Sequence, residues 1–395
     1  MKIKSVKIFG LHKHSEIINL TFNDDLNIIT GRNGAGKTTI LKLIWYVLSG
    51  HIDLAIKEIE FDKLVLCTDI YKCSINKINK NTCKVEWRWE NKGTEEVFED
   101  QVEHRSFYYG EDGETIIVDE DDGIIIQNAE EIPNRRLQNT GASVFLPTFR
   151  RIEGGFLTDS RPLSRRLSFE SFSATASIEE ALSNLSDRLT VNNHIFVASL
   201  STFDIESLLI KKHSELSEKY NRIQQKVTSD TMDRIKKSRE SNGDAQEDIL
   251  KLIQKDIEAM EKKRQEIMKP LDTVKESVLR FFKNHRGIKL GKSKVLNFGD
   301  AANAINSNFL SAGEKQMLSF LAYNTFYKDA IFIIDEPELS LHIDWQRTLL
   351  STLVKQGTSN QFIVATHSPF IYSKYPEKEI QLNPDRGYCD TFELE

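Results

Sequence analysis

Four stretches of the chain hold residues whose types and spacing could do phosphate chemistry. Gly31-Arg32-Asn33-Gly34-Ala35-Gly36-Lys37-Thr38 fits the pattern G-x-x-x-x-G-K-[ST]. The glycines let the backbone N–H groups around Asn33, Gly34, Ala35 and Gly36 turn inward on an anion. A helix opening just after them adds the positive end of its dipole. Lys37 can reach the β- and γ-phosphates of a nucleotide, and the Thr38 hydroxyl can ligate Mg2+. Ile331-Phe332-Ile333-Ile334-Asp335-Glu336 is an apolar run closed by two carboxylates. At the carboxyl end of a buried parallel strand, Asp335 would hold the metal's ligand shell and Glu336 would polarise an attacking water. Ser311, Gly313 and Glu314 lie where an apolar helix begins, so they read as a second anion-binding helix N-terminus. One nucleotide does not need two such sites in one head. The economical reading is that this one closes on a nucleotide held by another copy. His367, just past a strand at 362–365, can hydrogen-bond a γ-phosphate.

The elements that must position these residues are legible in the apolar pattern. Three strands are expected in the first 31 residues, around Ile3, Val6 and Ile8, then Ile17 to Phe22, then Leu26 to Thr30, with Asn23-Asp24-Asp25 as turn chemistry. A helix over 38–48 carries Ile40, Leu41, Leu43 and Ile44 on its apolar face and stops at Gly50. Short strands at 64–66, 85–89, 106–109, 115–118 and 123–126 suit an antiparallel layer, and 143–147 is one more strand. The polar stretch 148–177, with Arg161, Arg165 and Arg166, reads as a loop.

From 203 to 285 the period changes. Leu209, His213, Leu216, Tyr220, Ile223 and Val227 step by four and three, as do Ile253, Ile257, Met260, Arg264, Ile267, Leu271, Val274, Val278 and Phe281. These are the seams of a paired helical hairpin, with its tip between Lys236 and Glu247 and a kink expected at Pro270. After 286 the α/β pattern returns, with strands at 288–290, 294–298, 330–334 and 362–365 and helices after Gly313 and from 343. The expected fold class is α/β: a P-loop head with a mixed sheet and an antiparallel lobe. Residues 1–202 and 286–395 would form the two halves of the head, and 203–285 an inserted antiparallel hairpin.

Composition narrows the partners. With 28% charged residues, a net charge of −6 and a pI of about 5.9, the chain of 395 residues is no globally basic nucleic-acid binder. No apolar run is long enough to span a membrane, and the start of the chain lacks a signal-peptide core, so a cytoplasmic protein is expected. Four cysteines without a C-x-x-C pair read as reduced structural thiols.

Taken together, the phosphate loop, Leu-Ser-Ala-Gly-Glu-Lys-Gln at 310–316, Asp-Glu-Pro-Glu-Leu-Ser-Leu-His at 335–342 and Ala-Thr-His-Ser-Pro at 365–369 resemble an ABC-type ATPase head of the SMC, RecF and OLD kind. The resemblance covers roughly 1–155 and 286–380. It implies ATP and Mg2+ as cofactors and a head-to-head dimer with two ATP molecules between the heads. It also implies nucleotide contacts from Thr39 and Glu314, a D-loop serine at Ser340, Glu336 as the catalytic carboxylate and His367 as the switch histidine.

Departures from the family pattern sharpen the reading. The strand that should precede the family's Q-loop glutamine ends in Pro147-Thr148-Phe149-Arg150-Arg151, and Gln127 and Gln138 lie upstream. The arm is short and its tip lacks the C-x-x-C of a zinc hook. The stretch after His367 is too short for a Toprim nuclease domain. The layout therefore resembles most the ATPase subunits of bacterial anti-phage systems, AriA of PARIS and then PtuA of Septu. That implies an effector encoded nearby, a Toprim-like or HNH-like nuclease, with DNA or a phage protein as trigger. A RecF-like repair ATPase that clamps DNA is the alternative, motivated by Arg150, Arg151, Arg161, Arg165 and Arg166. A transporter ATPase on a membrane partner fits neither the long helical insertion nor the missing glutamine.

Overall fold

The structure, a computed structural model, describes residues 1–13, 17–91, 93–103, 124–148, 151–152, 182, 184–200, 202–239, 245–282 and 311–382. The strands expected at 106–109, 115–118, 288–290 and 294–298, nearly all of the arginine-bearing stretch 148–177, and Leu310 lie outside these residues. By internal contacts the chain forms two units. The first comprises Met1–Arg151, Pro162–Ser199 and Tyr327–Glu395, and the second Ile152–Arg161 and Leu200–Phe326. This grouping follows packing. The division by motif at 202 and 285 remains a proposal about how the parts work.

Two six-stranded sheets build the first unit. One is an antiparallel layer of β1 (Ile3–Phe9), β2 (Ile18–Thr21), β4 (Lys63–Thr68), β5 (Tyr71–Lys77), β6 (Cys83–Trp89) and β7 (Glu95–Glu99), with β3 (Leu26–Thr30) passing to the other sheet. Its strand order is β2-β1-β4-β5-β6-β7. β5 and β7 were not among the expected strands. The strand expected at 123–126 is present at Ile124–Gln127, paired with Gln101–Glu103.

The second sheet is parallel throughout. Its order is His194–Phe196, Ser143–Leu146, Ile331–Asp335, Gln361–Ala365, β3 and Glu379–Gln381. Four of these strands are buried at every position, which is why they read as largely apolar runs in the sequence, with buried Asn27 the one polar residue inside a strand and the others at strand ends. Helix α1 (Lys37–Leu48) buries Ile40, Leu41, Leu43, Ile44, Trp45, Val47 and Leu48 completely. These residues share one core cluster with side chains of both sheets. The Trp45 ring lies 5.6 Å from Phe145 and 5.1 Å from Phe196, centroid to centroid. In the chain, helix α2 (Ile52–Glu58) follows α1 and helix α3 (Glu131–Gln138) follows the strand Ile124–Gln127.

In the second unit two helices of 38 residues each, Thr202–Arg239 and Ala245–Phe282, pair as a hairpin. The Arg264 guanidinium over the Tyr220 ring and the Thr231–Asp256 hydrogen bond fix the pairing as antiparallel. The expected seam holds at Leu209, Leu271 and Val274, which are buried, but Ile257 is 60% exposed and leaves it. The second helix continues through Pro270. Ala312–Phe326 packs on both hairpin helices within this unit.

Candidate functional site

Strand register brings the predicted chemistry to one edge of the parallel sheet. Asp335 pairs with Ala365, Ala365 with Ile29, and Leu146 with Ile334. The segments that leave these four strands at their carboxyl ends are therefore neighbours: the glycine-rich loop after Thr30, Thr148, Glu336, and Thr366-His367. This is where ligands bind in open parallel sheets.

The glycine-rich loop has the geometry of an anion cradle. Gly34 and Gly36 take φ of 84° and 83°, a left-handed conformation that other residues rarely adopt. α1 then starts with no capping side chain, which leaves its first N–H groups for an anion. Lys37 turns back over the loop. Its Nζ donates to the carbonyls of Gly31 and Arg32 at 3.1 and 3.2 Å and lies 2.6 Å from His367 Nε2. An ammonium only donates, so the imidazole nitrogen accepts. Burial lowers the Lys37 pKa, and the carboxylates of Glu336, Asp335 and Glu338 counter that effect.

Glu336 Oε1 lies 3.9 Å from His367 Nε2. Its backbone is left-handed, with φ of 47°, which is unusual for a residue with a side chain and is held by its N–H donating to Ala365 O at 2.8 Å. Asp335 is fully buried at the strand end, and the Thr148 hydroxyl donates to its Oδ2. Thr148 follows the strand Ser143–Leu146, at whose end the resemblance leads us to expect a glutamine. Ser340, also left-handed at φ 65°, is exposed on the turn that follows.

Ser311, Gly313 and Glu314 belong to the other unit. Their helix begins at Ala312, one residue before Gly313, with Ser311 as its cap. The Ser311 N–H donates to Glu314 Oε2 at 2.6 Å, and the Glu314 N–H to Ser311 Oγ at 3.3 Å. This is a reciprocal capping box, so the Glu314 carboxylate is already engaged with its own helix start.

Sequence reasoning passed over three residues of the site. Thr148 is brought in by strand register. His12 Nε2 reaches Thr39 Oγ1 at 3.4 Å from a loop whose His12 and Lys13 have φ of 53° and 64°. Glu338 accepts from Thr366 Oγ1, His367 N and Ser368 N at 2.7, 2.7 and 3.0 Å. Only the doubled acidic pattern Asp-Glu-Pro-Glu could have drawn attention to the last.

Hard oxygen donors, the Asp335 carboxylate beside the Thr148 hydroxyl with the Thr38 hydroxyl at the start of α1, suit Mg2+. Three carboxylates act on the one ammonium of Lys37, an excess of negative charge that a divalent cation would offset. Among the described residues no cluster of His, Cys, Asp and Glu could hold a metal by itself. A site of this kind takes its metal together with substrate phosphates.

Comparison with known proteins agrees with this chemistry. The profile of the AAA ATPase domain family matches residues 1–372. The "Retron Ec83 probable ATPase" of Escherichia coli is 30% identical over 128 residues, 29% of this chain and 24% of that protein. "Endonuclease GajA" of Bacillus cereus (strain VD045) is 41% identical over 63 residues, 14% of this chain and 11% of that protein. The alignments thus reach about a quarter or less of those relatives' lengths. A crystal structure of an Smc head bound to the C-winged helix domain of ScpA is 11% identical with a TM-score of 0.36, over 94% of this chain and 91% of that one.

Proposed function

The chain belongs to the AAA ATPase domain family, and from that premise we propose that it binds Mg2+ and ATP at the edge of the parallel sheet, hydrolyses ATP slowly, and works as a head-to-head dimer. The convergence of Lys37, Glu336 and His367 within hydrogen-bonding or near-contact distance supports the nucleotide chemistry, and the dimer is proposed from the resemblance.

Each residue has a task it can perform from its present position. The backbone N–H groups of the loop and of the α1 start bind phosphate oxygens. Lys37 exchanges the carbonyls of Gly31 and Arg32, and its bond to His367, for those oxygens. Released by that exchange, His367 is free to hydrogen-bond the γ-phosphate. Glu336, a carboxylate 3.9 Å from His367, orients the attacking water and draws on its proton. Thr38, Asp335 and Thr148 would hold Mg2+, which when bound neutralises charge on the phosphates. Slow turnover follows if Ser311 and Gly313 of a second copy complete the site, because association then gates the chemistry.

The biological setting follows from the resemblance and is supported by the relatives. One curated relative is named as a retron ATPase and another as an endonuclease. The role proposed is an anti-phage ATPase of the AriA or PtuA kind that senses a trigger and controls a separate effector. A RecF-like repair ATPase is the second reading, favoured by the arginines at 150–166. Salt-dependent, ATP-dependent binding to DNA without any co-purifying protein would select it.

The test of the chemistry is phosphate release by the purified chain beside Glu336→Gln. The parent should hydrolyse ATP, and the variant should bind it equally well yet turn over about 100-fold or more slowly. Equal rates in the two would remove Glu336 from the chemistry.

A further inference from the structure

One carboxylate beside the site has no task in the proposed chemistry beyond its charge near Lys37, yet it is tied to the His367 segment by three hydrogen bonds. Glu338 Oε1 takes three hydrogen bonds, from the Thr366 hydroxyl and from the backbone N–H groups of His367 and Ser368. Its Oε2 is buried with no hydrogen-bond partner. A carboxylate oxygen is kept in such a place only where the surroundings hold it there.

The turn it belongs to is anchored to the same segment at further points. The Glu336 N–H donates to Ala365 O at 2.8 Å. Gln346 Nε2 donates to Leu341 O at 2.9 Å, and its Oε1 accepts from Ser368 Oγ at 2.6 Å. Two left-handed residues, Glu336 and Ser340, bracket Glu338. Such conformations persist only where neighbouring structure over-determines them. At the outer end of the turn, Leu339 is 39% exposed and Ser340 is exposed, so they are open to a contact from outside.

We propose that Glu338 is a positioning residue that joins the turn bearing Ser340 to the segment bearing His367, so that a contact made on Ser340 resets the imidazole beside Lys37 and Glu336. The proposal rests on the ATPase reading for its consequence, but the mechanical tie can be measured without it. Glu338 touches no reacting atom. It acts through the His367 backbone N–H, which it holds at 2.7 Å.

Two readouts test the proposal. The first is a cycle of Glu338→Ala, His367→Ala and the double variant, with ATP affinity and turnover measured separately. Glu338→Ala should leave affinity within about twofold and lower turnover about tenfold or more, with Glu338→Gln recovering part of the rate. Adding Glu338→Ala to His367→Ala should cost no more than about a further twofold, since a residue that acts through another adds nothing once that other is gone. Losses that multiply would overturn the proposal, as would unchanged turnover in Glu338→Ala. Should Glu338→Ala fail to fold, Glu338→Leu, which fills the space without an acceptor, takes its place in the cycle under the same criteria. The second readout is backbone hydrogen exchange over 365–370, which needs no hydrolysis. Ser340→Arg should change exchange there in the parent and leave it unchanged in a Glu338→Leu or Glu338→Ala background, where no side-chain oxygen is left to accept from the segment. The same change in both backgrounds would refute the tie, even if the chain proved to be an active ATPase. A chain that showed the tie but released no phosphate would instead count against the ATPase reading alone.

Discussion

Lys37 illustrates how a single side chain can carry a functional proposal. Its ammonium sits among two carbonyls and an imidazole nitrogen, and burial works against its charge while three carboxylates support it. Phosphate oxygens are better partners for an ammonium than neutral carbonyls, because both groups are then charged. Lys37→Ala should therefore weaken ATP binding itself, by about 10- to 100-fold, the worth of a charge-assisted hydrogen bond. Titration of the variant with a fluorescent ATP analogue checks this, and unchanged affinity would mean that the loop binds without its lysine. At this scale the sequence was most legible where chemistry dictates both type and spacing. Lys37, Asp335, Glu336 and His367 are found at one sheet edge. Thr148 was not legible, because nothing in its type marks it, and Glu338 only faintly, through the doubled acidic pattern at 335–338. Strand pairing and a chain reversal bring them there.

Two joints between elements make predictions. α1 must stop at Gly50, whose φ of 68° suits glycine and whose added Cβ would lie 2.5 Å from Asn134 O in α3. Gly50→Ala should cost about 1–3 kcal/mol of stability, from the left-handed backbone and the clash together, read as a lower urea midpoint. The second joint is buried between parallel strands. Ser143 Oγ meets His194 Nδ1 at 2.8 Å, and His194 Nε2 meets Leu137 O at 3.2 Å. Desolvation lowers the His194 pKa to about 4, from 6.5. Between those values the unfolded chain binds more protons than the folded one, so stability falls as pH drops from 6.5 to 4 and levels off below. The contribution is about 3 kcal/mol over the whole window. Denaturation at pH 7 and pH 4.5 should show a smaller loss for His194→Gln, which cannot titrate, than for the parent. Legibility at this scale followed burial. Strands covered on both faces announced themselves as apolar runs. α3 buries only Pro133 and Leu137, so it left no periodic signal to read. β5 spreads its buried face over Tyr71, Cys73 and Ile75 with the also buried Ser74 among them, which blurs the alternation.

At the scale of the whole molecule, the two motifs proposed to bind anions sit in separately packed units. The lysine-bearing loop lies in the first and the Ser311 helix start in the second. The hairpin seam read correctly near its base, at Leu209, Leu271 and Val274, and failed at Ile257, where two helices alone offer too little apolar surface to cover every position. A shared site between copies predicts more than activity. Lys37→Ala and Ser311→Arg should each be nearly inactive alone, because each spoils both sites of its own dimer. Mixed in equal amounts, they should form heterodimers in which one site keeps an intact lysine and an intact serine, recovering about a quarter of the parent's rate. That recovery in a phosphate-release assay is what the account predicts. A mixture that stays as inactive as its parts, while the parent hydrolyses ATP at a rate per chain independent of concentration, would contradict it.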